Sequence, residues 1–336
     1  GAYHNAYTSD YAMVYEAACA DFEWDRILDL QRLAITTPRF NTTELEAEKG
    51  NVRSELTGYL NNHNRVMWPR VQQALGEDIL TYNQRLKTIT NISLRDIKEH
   101  HRRTHTLQNM RFVIAGNLTG RKQQVRDLLE KWQLELGERF TIPKNELHSA
   151  NPVLIRRKDA SNLTFGWSMN VHREITDEEA DAMNCLDHIL TGTMSSRIFG
   201  AARKKGLAYG VFSDTSVGFY DSAWDFGGQV NLETAEDLFD IIVRELKRVL
   251  AGTISTEDIE NAKSYALGRH QMGAQTVGQI SNFYTGRYFS DDFIKDYDKV
   301  PAAILGVTDE QIVTMAREFF TANTWVLAGV SGGDKE

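Results

Sequence analysis

The feature that most constrains this chain is that it repeats itself. Phe40 to Lys49 aligns without a gap on Ile254 to Lys263, at an offset of 214 residues. Both segments open as a helix opens, with Asn41 or Ser255 as N-cap and acids in the first turn. A second match lies downstream. Ser93 to Ile97 running on to Asn109–Gly116, and Thr308 to Ile312 running on to Asn323–Gly329, each read as helix, turn and strand. The pattern predicts a tandem duplication of one α+β domain, each copy a mostly antiparallel sheet with helices packed on one face.

Residues 141–152 are largely polar, hold Pro143 and Pro152 and lack helical periodicity, so they read as a linker. The first domain is therefore expected over residues 1–140 and the second over 151–336. The copies are unequal. Residues 151–210 contain a predicted strand (Leu163 to Val171), a helix (Asp177 to Thr191) and a Gly-containing turn, with no counterpart in copy one. The repeat register implies that copy one lacks roughly 60 or more residues ahead of Gly1.

Composition narrows the function classes. A length of 336 residues suits about two domains, and 41% hydrophobic with 25% charged residues is ordinary globular usage. No apolar run is long enough to span a bilayer and no signal peptide is visible, so a cytoplasmic location is the default expectation, with a targeting segment ahead of Gly1 as the alternative. A net charge of −8 argues against nucleic acid as partner. Cys19 and Cys185 sit in locally apolar stretches and read as small buried hydrophobes, with nothing calling for a disulfide.

Where duplicated domains differ, chemistry can hide. On the helix starting near Thr42, the residues Leu45, Val52, Leu56 and Tyr59 form the predicted buried stripe. Glu48 and Glu55 fall within the same stripe, seven residues apart and so pointing the same way. Copy two has Ala262 and Arg269 in their places. Two carboxylates on a core-facing stripe require a partner or a cation. Two readings stay open: a helix rotated to solvate or salt-bridge both acids, or a metal site that uses a carboxylate ligand. His101 and His105 stand at helical i,i+4 spacing, but Ala316 and Phe320 replace them in the other copy, so they read as a structural cluster. No H-x-x-E-H or H-E-x-x-H string, P-loop or G-x-S-x-G motif occurs.

Four stretches together resemble the pitrilysin/insulin-degrading-enzyme family of zinc peptidases, most closely the bacterial homologues of mitochondrial processing peptidase. They are Gly1 to Ser9, similar to the family's N-A-y-T-s strand; Phe40 to Glu55, similar to its E-x6-E helix; Thr104 to Met110, loosely similar to its turn before a strand; and Gly192 to Phe199 with Lys205 to Tyr209, similar to its S-S-R-L-F and G-L-A-Y segment. The resemblance implies a zinc endopeptidase acting on peptides or unfolded segments. In it Glu55 is a metal ligand and Glu48 a supporting acid. The family's H-x-x-E-H helix precedes the N-A-y-T-s strand, so this chain carries part of a zinc site and is expected to be inactive alone. Asn5, Ala6 and Tyr7 correspond to the edge strand that pairs with substrate peptide. Tyr209 matches a substrate-binding residue whose Arg partner belongs at Ala202; Arg203, one step along, is the candidate substitute. A second peptidase-like half, as homodimer or heterodimer, is the implied partner. The rival expectations are a non-catalytic partner or scaffold subunit and a peptide-binding module that captures chains without cutting.

Overall fold

Helices begin where the sequence places capping residues. In the computed structural model, which describes residues 1–9, 11–290, 294, 296–322 and 324–332, Asn41 Oδ1 accepts from the Glu44 amide at 2.8 Å. Ser255 and Asp258 cap the equivalent helix reciprocally, at 3.1 Å in each direction. The chain runs β1 (Tyr3–Thr8), β2 (Met13–Ala18), α1 (Trp24–Thr36), α2 (Thr42–Tyr59), α3 (His63–Leu75), α4 (Tyr82–Thr88), α5 (Leu94–Thr104) and α6 (Lys122–Leu129). It continues through β3 (Val153–Arg156), β4 (Leu163–Val171), α7 (Asp177–Asp187), α8 (Arg197–Lys204), β5 (Val211–Val217), β6 (Ser222–Val230) and α9 (Ala235–Leu250). Last come α10 (Thr256–Met272), α11 (Val277–Phe289), α12 (Val300–Gly306), α13 (Asp309–Thr321) and β7 (Thr324–Ser331). Among the described residues, no helix is long and apolar enough to cross a membrane.

Two compact units emerge, each from three stretches of chain. One comprises Gly1–Asn51, Ile89–Pro143 and Met272–Tyr297; the other comprises Val52–Thr88, Lys144–Gln271 and Asp298–Glu336. This partition differs from the linear division at residues 141–152: α3 joins the unit built mainly from copy two, and α11 joins the unit built mainly from copy one.

The second unit holds a five-stranded sheet in the order β3-β7-β4-β6-β5. Only the β3–β7 pairing is parallel; β4–β7, β4–β6 and β5–β6 are antiparallel. Strand residues alternate between faces. Phe165, Met169, Trp224 and Phe226 join a core with Leu186 of α7, Leu246 of α9 and Phe319 of α13. On the opposite face Val326, Ala328 and Val330 pack with Met67, Val71 and Leu75 of α3. The α+β class, a largely antiparallel sheet with packed helices, is thus realised here.

Among the described residues, the first unit holds only the β1–β2 hairpin as sheet. The strand expected over residues 109–116 does not form, although its helix does. The cause lies in the pairing. Its counterpart β7 bonds only to β3 and β4, and the described residues before α5 form no equivalents of those strands. Asn323, at the start of the matching segment in copy two, lies outside the described residues.

The cysteine reading needs one correction. Both thiols are free, and Cys185 is buried, but Cys19 is exposed just past the end of β2.

Candidate functional site

The two glutamates lie on α2, and the structure settles which way they face. Leu45 and Val52 are partly buried and Leu56 is buried, while Glu48 and Glu55 are exposed. Of the two placements the sequence left open, both acids take the solvated one. Each acid lies three residues past a stripe residue, which is 300° of rotation, so it falls about 60° to the solvent side of the stripe. Both are held by local bonds. Asn51 Nδ2 donates to Glu48 Oε2 at 3.0 Å, and the Tyr59 hydroxyl donates to Glu55 Oε1 one turn along. Tyr59 is itself fixed: the Arg65 guanidinium lies 3.7 Å over its ring, and Tyr82 meets it edge-on at 5.2 Å. The bond to the Glu55 carboxylate pushes the Tyr59 phenol above its ordinary pKa.

What the two copies share is structural. Lys49 bonds Glu46 at 2.8 Å on α2, and Lys263 stands 3.6 Å from Glu260 on α10, both lysine side chains largely covered. Glu48 and Glu55 have no such duplicate.

A zinc site draws three protein ligands even when one position stays open. Among the described residues, no group of three or more His, Cys, Asp or Glu is placed to hold a metal ion. The donor set present does not make a zinc site by itself, and Glu55 offers one carboxylate.

The histidine pair is structural, as its replacement in copy two suggested. His101 and His105 stack with ring centroids 4.0 Å apart. His105 Nε2 meets the Tyr15 hydroxyl at 2.8 Å and Nδ1 the Thr104 hydroxyl at 2.9 Å, while His101 Nε2 meets the Ile35 carbonyl at 2.8 Å. Burial and the neighbouring His101 push the His105 pKa down to about 4.

Asn5, Ala6 and Tyr7 lie on β1, which among the described residues pairs with β2 alone and is exposed throughout. The other edge of β1 is open to a further strand. Asn5 Nδ2 donates to Glu16 Oε1 at 3.2 Å, a cross-strand bond that stiffens the hairpin. In the second unit Ala202, on α8 itself, is fully buried, so no longer side chain fits there, whereas Arg203 places its guanidinium 4.9 Å over the ring of Tyr209. Tyr209 is 87% exposed. The structure thus brings Arg203 and Tyr209 together on an accessible surface.

Sequence reasoning missed the buried acids. Asp187, fully enclosed on α7, accepts from Trp224 Nε1 and Thr215 Oγ1, both at 2.9 Å. Burial pushes its pKa up to about 7. Asp225 on β6 is pushed up to about 6, again by burial, and its Oδ1 has no hydrogen-bond partner. A signal existed for Asp187 alone: it ends an apolar helical run, Ala182-Met183-Asn184-Cys185-Leu186.

A family model described as insulinase (peptidase family M16) matches residues 1–87, and one described as the peptidase M16 inactive domain matches residues 91–265. An uncharacterized zinc protease of Streptomyces coelicolor is 25% identical over 332 residues, covering 94% of this chain and 71% of the relative. A protease from Helicobacter pylori superposes with a TM-score of 0.84 at 17% identity, over 98% of this chain and 82% of that one. The periplasmic protease PqqL of Escherichia coli superposes with a TM-score of 0.74 at 12% identity, over 98% of this chain but 39% of its own length. These two structures show the fold, and the family models, spanning most of the chain, show the membership: this chain belongs to the M16 (insulinase) peptidase family.

Proposed function

We propose that this chain is part of a zinc-dependent endopeptidase acting on peptides or unfolded segments, to which it contributes Glu55 as one metal ligand and Glu48 as a supporting acid. The carrying observation is that both carboxylates stand exposed on one side of α2, while the duplicate helix α10 replaces them with buried Ala262 and exposed Arg269. A duplicated helix keeps what folding needs, and neither acid belongs to that set. The zinc-protease relative supports the metal. The remaining ligands come from residues ahead of Gly1, and a second peptidase-like half completes the substrate chamber. PqqL, of which a chain like this matches well under half, supports that pairing. No chemical step is assigned to the residues present, because they do not assemble the metal site. Their roles are to offer a carboxylate, through the Tyr59-held Glu55, and to bind extended peptide along the open edge of β1.

A second reading, a non-catalytic member serving as partner subunit, is favoured by one observation: the model matching residues 91–265 is that of the inactive domain.

The test is zinc content and hydrolysis of a quenched peptide, on this chain and on a version extended upstream. We expect both in the extended protein only, with Glu55→Gln lowering activity by about 100-fold or more and releasing the metal. Undiminished zinc and turnover in that variant would remove Glu55 from the ligand set. Zinc in neither form would favour the partner-subunit reading.

A further inference from the structure

Two aspartates face each other across the outermost strand pair of the second unit. Asp214 on β5 is the direct partner of Asp225 on β6, and Ser168 on β4 is the partner of Asp225 on the other side. Directly opposed residues share a face of the sheet, with Cβ atoms about 5 Å apart. Further along that face α3 covers the sheet, setting Met67 and Trp68 against Gly166. The two acids differ in their surroundings. Asp214 is exposed on the edge strand, whereas Asp225 is partly buried, and its Oδ1 is sealed from solvent with no hydrogen-bond partner. The other oxygen accepts from the Ser168 hydroxyl, which itself accepts from Asn170 Nδ2 at 3.2 Å. Among the described residues, the charged group that acts on Asp225 is Asp214, and no cation offsets either acid. On α3, His63 stands 3.7 Å from Asp159, Arg65 lies over the Tyr59 ring, and Arg70 is exposed. A buried carboxylate oxygen without donor or cation is costly, and a second carboxylate directly opposite adds repulsion. One proton removes both penalties.

We propose that Asp214 and Asp225 form a one-proton latch: while the pair holds its proton the edge strand β5 stays fastened to β6, and when the proton leaves to solvent past Asp214 the strand loosens. The latch does not rest on the metal-ligand assignment. Burial, which pushes Asp225 up to about 6, sets its range. A value raised on folding contributes stability that is complete below the ordinary carboxylate value of about 4 and is lost as pH rises through about 6. Asp187 holds the same strand from the opposite face, through Thr215, but both of its oxygens accept hydrogen bonds, so the two acids are separate fastenings. Tyr209 lies just ahead of β5, so the latch also steadies the strand that continues from the Arg203–Tyr209 stack.

The test is hydrogen–deuterium exchange on the 336-residue chain, corrected for the intrinsic pH dependence of amide exchange. Asp187→Asn serves as background, so that the acid on the opposite face does not titrate. There, protection of Val211–Val217 should fall by about tenfold or more between pH 5 and pH 7.5, while the β4–β7 pairing keeps its protection. Adding Asp225→Asn, whose amide imitates the neutral acid, should hold β5 at its pH 5 protection throughout. Adding Asp214→Asn should lower the midpoint, because the like charge is gone. NMR of isotope-labelled aspartate carboxyls in the unsubstituted chain gives an independent reading. Asp225, identified by its Asn variant, should titrate at about pH 6 and shift when Asp214 is replaced. Protection of β5 that is flat with pH, or a midpoint indifferent to Asp214→Asn, would overturn the latch. So would a loss shared equally by β4 and β7, or protection lost at both pH values in Asp225→Asn.

Discussion

The segments that follow α5 and α13 share a pattern and part company in their backbone. Both helices open with a closed capping box, Ser93 with Asp96 and Thr308 with Gln311. Both lead into a run ending in Ala-Gly. After α13 that run becomes β7, a central strand; after α5 it joins no sheet among the described residues. A helix closes its hydrogen bonds within its own residues, so the local pattern suffices. A strand closes them on other strands, so the same pattern yields a ladder only where β3 and β4 are present to receive it.

The comparison of α2 with α10 is the one most easily broken. Ala262 is 4% exposed, whereas Glu48 at the equivalent position is solvated. Putting copy one's residue into copy two, Ala262→Glu, buries an unpaired carboxylate and should lower stability by about 3–5 kcal/mol. The opposite exchange, Glu48→Ala, should change stability by no more than about 0.5 kcal/mol. Urea unfolding of both variants checks this. Equal effects would mean that the two helices expose the same face and that the acids mark nothing.

The units should also respond to pH in opposite senses. In the second, Asp187 holds its proton up to about pH 7, against an ordinary carboxylate value near 4. A folded-state pKa raised in this way contributes stability that is present below the ordinary value and lost as pH rises through about 7. Asp187→Asn keeps an acceptor for Trp224 and should remove that loss, gaining on the order of a few kcal/mol at pH 8 relative to the wild type. In the first unit His105 is depressed to about 4, so its contribution is present above the ordinary histidine value and lost as pH falls toward 4. Thermal melts at pH 5 and pH 8, followed by exchange in each unit, should show the first unit weakening on acidification and the second on alkalinisation. The same slope in both would sink the assignment.

How much of this was legible in the sequence depends on the range of the interaction. The duplication, the helix starts at Asn41, Ser255 and Thr308, and strand β4 are local patterns and were readable. The exchange of α3 and α11 between units was not, because it is decided by which sheet face lies open, as Gly166 and Ala328 show for α3. The spacing of Glu48 and Glu55 was readable, but their exposure was not. Periodicity located the stripe, and a 60° offset decided the side. Tyr59 as the clamp on Glu55 was available in principle from i,i+4 spacing. Asp187 was flagged only as the acid that ends an apolar helical run; its burial was not readable, since its oxygens accept from Trp224 and Thr215 across the fold. Arg203 could be named only as a candidate. The buried Ala202 explains why the cation moved one residue.

That pair gives the smallest effect and the sharpest division between folding and function. Arg203 over the exposed ring of Tyr209 is a surface cation–π contact, worth about 0.5–1 kcal/mol at most. Arg203→Ala should therefore leave unfolding nearly unchanged, because neither side chain seals the core. If the pair grips the backbone of an extended substrate, the upstream-extended enzyme carrying Arg203→Ala should show KM raised roughly tenfold with kcat held, the mark of lost uniform binding. Tyr209→Phe should be milder, since it keeps the ring and loses only the hydroxyl. A fall in kcat at unchanged KM would place Arg203 in the reacting geometry. No kinetic change would make the Arg203–Tyr209 stack an ornament of the second unit, and leave peptide binding to the open edge of β1 alone.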